Sequence, residues 1–340
     1  GTAYLLYGGS RWGSAQAIST DANARFRGAL GDGLGSRMAA ADLDGDGLSD
    51  LIFSAPGNDD GGSSAGELVV YYGTYGRFAG TYDAVNADAL VTGTVANTQL
   101  GGGLAAVGDP NGDGYPDVGA SMIYDDTNGT DAGTAVLLSG ARIVGTTSWV
   151  RSSYLVIHGL NAGDHFGSDL CGPGDLDQDG VDDLLVGGST SDGVGADAGE
   201  VRLFFGVNGI NREVDADFAS VVFPGDMASA NTGASVERVG DFDDDGLMDV
   251  AVGSPGSTSG GLNERGSVAL YLGRSLPDWL AGDVTPDVWA EGGGAQDRLG
   301  AELGGGLDLQ GDAYSDIAVG APDATAGGVQ SGAVYIFVGP

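Results

Sequence analysis

Residues 42–57 read DLDGDGLSDLIFSAPG, with four aspartates inside nine positions (Asp42, Asp44, Asp46, Asp50) followed at once by a short apolar run. Like charges at that density repel. A folded chain keeps them together around a cation or, alternatively, in a fully solvated acidic turn. A hard cation such as Ca²⁺ takes about 6–8 oxygen ligands from carboxylates, carbonyls and water, in a loop that a glycine allows to turn sharply. The pattern DxDxDGxxD supplies that set. Asp42, Asp44 and Asp46 offer carboxylates, Gly47 the turn, Leu48 its backbone carbonyl, and Asp50 closes the site.

The stretch recurs as DPNGDGYPDVGASM from Asp109, DLDQDGVDDLLVGGS from Asp175, DFDDDGLMDVAVGSPG from Asp241 and DLQGDAYSDIAVGAPD from Asp308, at spacings of 67, 66, 66 and 67 residues. So regular a period marks one supersecondary module per repeat. The candidate ligands are Asp109, Asn111, Asp113, Tyr115 and Asp117 in the second loop, and Asp175, Asp177, Asp179, Val181 and Asp183 in the third. In the fourth they are Asp241, Asp243, Asp245, Leu247 and Asp249, and in the fifth Asp308, Gln310, Asp312, Tyr314 and Asp316. The second loop exchanges one carboxylate for an amide. The fifth has Ala313 where the others have glycine, so its turn is expected to find another geometry. Position twelve is Phe53, Ala120, Val186, Val252 or Val319, never the bidentate Glu of an EF-hand.

Around each loop the apolar runs are short, alternating and bounded by glycine, the signature of strands. Strand A precedes the loop (SRMAAA in the first repeat) and strand B follows it (DLIFSAP), which makes the loop a hairpin tip. Strand C is the clearest: GELVVYYG, GTAVLLSG, GEVRLFFG, GSVALYLG and GAVYIFVG. Strand D is weaker (DALVTG, SYLVIHG, SVVFPG, DVWAEG, with ARFRGA upstream). Four antiparallel strands per repeat are the unit of a β-propeller blade. The expectation is an all-β fold: one domain over residues 1–340, five blades, an extra C-like strand at 1–8, and short helical turns only near 12–22, 210–218 and 276–282. Five blades leave either residues 1–8 or residues 332–339 redundant, so ring closure stays open, and an unclosed ring invites self-association.

With 48 acidic against 13 basic residues the formal charge is −35, which disfavours nucleic acid and anionic membranes as partners and favours cations. No apolar run approaches the ~20 residues of a membrane span. Cys171 is the single cysteine, so an intrachain disulfide and a CxxC site are excluded, and it reads as a small buried apolar side chain. His158 and His165 are conceivable bases but fit strand-end packing better. LGGGL at 100–104 and 303–307 lacks the lysine and helix of a phosphate loop. Trp12, Trp149, Trp279 and Trp289 suit sugar stacking or core packing equally.

The three marks in register resemble the FG-GAP repeats of the integrin α-subunit β-propeller and its bacterial relatives. They are FG or a variant before strand A (Leu34–Gly35, Leu100–Gly101, Phe166–Gly167, Thr232–Gly233, Leu299–Gly300), the acidic loop, and GAP or a variant after strand B (Gly320–Ala321–Pro322). The resemblance implies Ca²⁺ in the A–B loops on the lower face. It also implies recognition by the B–C and D–A loops on the upper face, noncatalytic binding of a protein ligand or adhesion, and a secreted or cell-surface location. There is no RGD sequence. The alternatives are a glycan-binding lectin, a propeller domain of a polysaccharide-degrading enzyme with paired carboxylates, and an architectural module without a ligand.

Overall fold

The computed structural model describes residues 1–8, 18–206, 212–258, 262–281, 284–325 and 330–339. Trp12 and most of the turn expected at 12–22 lie outside these residues, as do parts of the connections at 207–211, 259–261 and 326–329. Within them the fold is strands, with α1 (Ile18–Asp21), α2 (Trp149–Ser152) and α3 (Leu276–Leu280) as single turns.

Strands β1 (Thr2–Leu5) and β2 (Ala24–Arg27) pair antiparallel. The first repeat supplies β3 (Met38–Ala41), β4 (Asp50–Ala55), β5 (Glu67–Tyr71), β6 (Gly80–Asp83) and β7 (Ala89–Thr92). The second supplies β8 (Leu104–Ala106), β9 (Val118–Met122), β10 (Thr134–Leu138), β11 (Gly145–Ser148) and β12 (Ser153–His158). The third supplies β13 (Phe166–Gly174), β14 (Asp183–Gly188), β15 (Glu200–Phe204), β16 (Arg212–Asp215) and β17 (Val221–Pro224). The fourth supplies β18 (Ser235–Gly240), β19 (Asp249–Ser254), β20 (Ser267–Tyr271) and β21 (Val288–Glu291), and the fifth β22 (Leu303–Leu307), β23 (Asp316–Ala321) and β24 (Ala333–Phe337). The A–B–C–D order expected from the pattern is the order of hydrogen bonding in the first four repeats, each acidic loop forming the A–B tip.

Four strands per blade is not the whole arrangement. The C–D connections of the first three repeats each contribute a further strand, β6, β11 and β16, which pairs parallel with the outer strand of the preceding sheet, β2, β7 and β12. Of the window 210–218, expected to hold a short helical turn, Arg212–Asp215 are therefore strand, and Ala216–Phe218 form a single 3-10 turn. In the fourth repeat the same connection carries α3 instead, and Trp279 from it is buried edge-on against Phe223 of β17. Each connection thus covers the sheet before it.

The apolar cores lie between consecutive sheets. One joins Ile52 and Val70 to Val118 and Val136; the next joins Leu137 and Ile157 to Leu184 and Val186. The glycine of each FG pair permits this approach. Gly101 and Gly167 both hold φ +92, and a Cβ there would press into Ser54 and Ser121 on strand B of the preceding repeat. The residue before that glycine is buried in all five repeats. Strand β24 differs: every other C strand has a D partner, whereas the outer edge of β24 has none among the described residues, and Val334 and Ile336 are 69% and 47% exposed.

Residues of the A strands of all five repeats line a cavity of about 530 Å³. Arg37 Nη1 and Glu302 Oε1, 3.5 Å apart, link the first and fifth of them. Inside, burial raises Glu237 from 4.5 to about 7, with the Asp169 charge adding to the rise, and burial raises Asp169 to about 6. Because Glu237 in the folded protein holds a proton that the unfolded chain releases, its effect on stability is unfavourable as pH climbs from 4.5 to 7 and constant above. Glu237→Gln is expected to stabilise the protein at pH 8, on the order of 1 kcal/mol or more, and to leave it unchanged at pH 4.5. Denaturant unfolding at both pH values checks this, and an equal shift at the two would refute it.

Candidate metal centre

Each acidic loop is built on its ninth residue. Asp50, Asp183, Asp249 and Asp316 open strand B and Asp117 stands one residue before it, all removed from water, at most 1% exposed. One oxygen of each accepts the N–H of the glycine after strand C: Gly73 (2.7 Å), Gly140 (3.1 Å), Gly206 (2.8 Å), Gly273 (2.6 Å) and Gly339 (3.2 Å). The other accepts the N–H of loop position two: Leu43 (2.8 Å), Leu176 (2.7 Å), Phe242 (2.6 Å) and Leu309 (2.7 Å). The second loop has Pro110 there, which carries no N–H. Asn111 replaces the missing donor with its side-chain amide, 2.5 Å from Asp117. Burial drives Asp117 up to about 7, Asp183 to about 8 and Asp249 to about 6, against the lowering effect of their hydrogen-bond donors.

Positions one, three and nine converge. Carboxylate oxygens of Asp42, Asp44 and Asp50 lie within 4.8 Å of one another, as do those of Asp175, Asp177 and Asp183 and those of Asp241, Asp243 and Asp249. Two oxygens bound to one Ca²⁺ at 2.3–2.6 Å are at most about 5 Å apart, so the spacing suits that ion. Asp42 Oδ1 is buried with no hydrogen-bond partner, the mark of an oxygen arranged for something other than an N–H. Position five is turned differently. Asp46, Asp113, Asp179, Asp245 and Asp312 each accept the N–H of position seven (Leu48, Tyr115, Val181, Leu247, Tyr314) and shape the turn. In the second and fifth loops no three carboxylates converge among the described residues.

The FG-GAP repeat family model matches residues 34–71, 233–271 and 299–337, the first, fourth and fifth of the repeats. Over those three segments the chain carries FG-GAP repeats. Over 175 residues, 49% of its length, it is 33% identical to mouse integrin alpha-E, and over 154 residues, 43% of its length, 31% identical to Xenopus laevis integrin alpha-5. Over 203 residues, 55% of its length, it is 29% identical to the phosphatidylinositol-glycan-specific phospholipase D of Dictyostelium discoideum. The matches span 14% of each integrin and 21% of the phospholipase.

The second and third repeats, outside the family match, keep the same hairpin and the same buried ninth aspartate. Ala313 of the fifth does not find another geometry. It adopts φ +78, the left-handed turn that Gly47, Gly114, Gly180 and Gly246 make at φ +87 to +92. A Cβ in that region costs roughly 1–2 kcal/mol, so Ala313→Gly is expected to stabilise the protein by on the order of 1 kcal/mol in a thermal melt, after allowance for the freer unfolded chain.

The sequence pattern treats positions three and nine alike, whereas the geometry separates them. Asp183→Asn places an amide against two N–H donors and is expected to cost about 2–3 kcal/mol, with or without Ca²⁺. Asp177→Asn is expected to lower stability only when Ca²⁺ is present. Chemical denaturation of both variants in Ca²⁺ and in chelator tests this, and equal behaviour of the two would overturn the separation.

Proposed function

We propose that residues 1–340 form a single calcium-stabilised, noncatalytic propeller domain that acts in an extracellular or cell-surface protein and presents its B–C and D–A loops to a protein ligand. The observation that carries this reading is the triad of converging carboxylates at the A–B tips, with its orphaned oxygen at Asp42. All twenty-five loop positions named from the sequence belong to the proposal, with Ca²⁺ at the first, third and fourth loops best supported by geometry and the second and fifth as further sites. The bound ion would offset the repulsion that the triad concentrates, and binding to the folded state alone would stabilise it by mass action.

The candidate bases are hydrogen-bonded to neighbouring side chains. His158 lies 2.8 Å from Thr134 Oγ1 and 2.7 Å from Glu213 Oε1, and His165 lies 2.8 Å from Thr190 Oγ1. Cys171 is buried and its thiol is pushed well up by burial. Trp279 is fully buried and Trp149 packs against the first core, which leaves Trp289, 39% exposed, as the described tryptophan most open to sugar stacking. No helix among the described residues is long and apolar enough to cross a membrane. The integrin relatives lend the protein-ligand reading its support. The bare edge of β24 supports self-association of this chain.

Metal content by mass spectrometry, a thermal melt and light scattering, each with Ca²⁺ and after chelation, test the proposal together. The expected result is at least three Ca²⁺ per chain, a melting temperature that falls on chelation and recovers on Ca²⁺ addition, and a mass that rises with concentration. An unchanged melt after verified metal removal would sink the calcium reading, and a strict monomer would sink self-association.

A further inference from the structure

At the opposite end of the hairpins from the acidic loops, a cavity of about 430 Å³ opens between the β1–β2–β6 sheet and the first repeat. Glu67, the first residue of β5, lines it although only 3% of the residue is exposed. Its Oε2 has the Asn58 amide at 3.4 Å, and its Oε1 has no hydrogen-bond partner. Most of the other polar groups around it are engaged. Arg27 Nη2 holds Asp83 at 2.8 Å, Asp32 accepts the Ala29 N–H, Asp59 accepts the Ser64 N–H, and Asn58 Oδ1 accepts the Asp60 N–H. Burial, reinforced by Asp60 and Asp32, raises Glu67 to about 7.

The third repeat shows how the same problem is solved internally. Glu200 occupies the equivalent start of strand C, and Arg202, two residues on, donates to it at 2.7 Å. Two residues after Glu67 stands Val69, which is buried in the core between the β1–β2–β6 sheet and the first repeat. A buried carboxylate therefore faces a cavity whose lining cation, Arg27, is held by Asp83, and an orphaned carboxylate oxygen is costly unless a partner arrives from outside. The cavity is too large for a bare ion, no three carboxylates in it converge among the described residues, and Ala84, Val85 and Leu90 give it an apolar wall.

We infer that this cavity binds a small organic amine, with its ammonium group on Glu67 Oε1 and its alkyl chain along Ala84, Val85 and Leu90. The inference is independent of the calcium reading, which is tested by metal content.

The test is calorimetric titration of the full chain, in Ca²⁺ at pH 8, with 1,4-diaminobutane, 1-butanol and MgCl₂. One-site saturable binding of the diamine is expected, with 1-butanol at least tenfold weaker and Mg²⁺ not competing. Glu67→Gln keeps the side-chain shape and should weaken the diamine at least tenfold. Ala29→Trp, which fills the cavity mouth from an exposed position without altering the carboxylate, should do the same and carries the test if Glu67→Gln fails to fold. Asp126→Asn, outside the cavity, should bind as the parent does. Unchanged affinity in Glu67→Gln or Ala29→Trp, equal binding of 1-butanol, competition by Mg²⁺, or an equal loss in Asp126→Asn would overturn the inference.

Discussion

A carboxylate held entirely out of water by two N–H groups, one from its own loop and one from the end of strand C, is the interaction on which each repeat depends. Burying an ionised carboxyl is expensive, and two aligned donors offset only part of that expense. In the second loop the donors are the Asn111 side chain and the Gly140 N–H, in the others two main-chain amides. The bond fixes where strand B begins relative to where strand C ends, so it sets the length of both strands and the shape of the loop between A and B. The neighbouring aspartates at positions one and three then lie against a group that is already hard to ionise, and their charges add to the rise at Asp183 and at Asp50. A cation there would relieve several unfavourable charges at once, which is why the loop chemistry and the hairpin geometry belong to one device.

Between repeats the constraint is steric. The FG glycine lets one repeat lie directly on strand B of its predecessor, and the cores form in the spaces between sheets. The C–D connections then reach back over the preceding sheet as β6, β11, β16 or the Trp279 plug. Neighbours are thus joined at the inner strand, the core and the outer edge. Stability in such a chain is close to a sum of repeats and nearest-neighbour interfaces, and the interface energy here comes from three separate places on each sheet.

The hairpins and the acidic loops are legible in the sequence because their information is local. DxDxDGxxD, the flanking alternation and the glycine after strand C all fall within one repeat, and the structure uses them in that order. The back-reaching strands are not legible. Gly80–Asp83, Gly145–Ser148 and Arg212–Asp215 are short and mostly polar, with no period of their own, and they become strands only because the preceding sheet offers an open edge. Ala313 misleads for another reason: the surrounding loop bonds hold the left-handed turn even without the residue that favours it. Glu67 reads as an ordinary strand start, and its burial arises from the β1–β2–β6 sheet lying against β5, a contact no pattern within the repeat encodes.

The two irregular loops show which part of the design is indispensable. The second has lost the main-chain donor at position two to Pro110, and Asn111 turns its amide to Asp117 to restore the bond, leaving no carboxylate at position three. The fifth has Gln310 at position three and a strained Ala313, yet Asp316 keeps both donors, at 2.7 Å and 3.2 Å. In both loops the carboxylate triad is gone and the buried aspartate remains satisfied. The hairpin clamp is therefore the common element of all five loops, and the converging carboxylates are an addition that the clamp makes geometrically available. A repeat can lose its triad and still build its blade, whereas loss of the ninth aspartate would leave two buried N–H groups without acceptors.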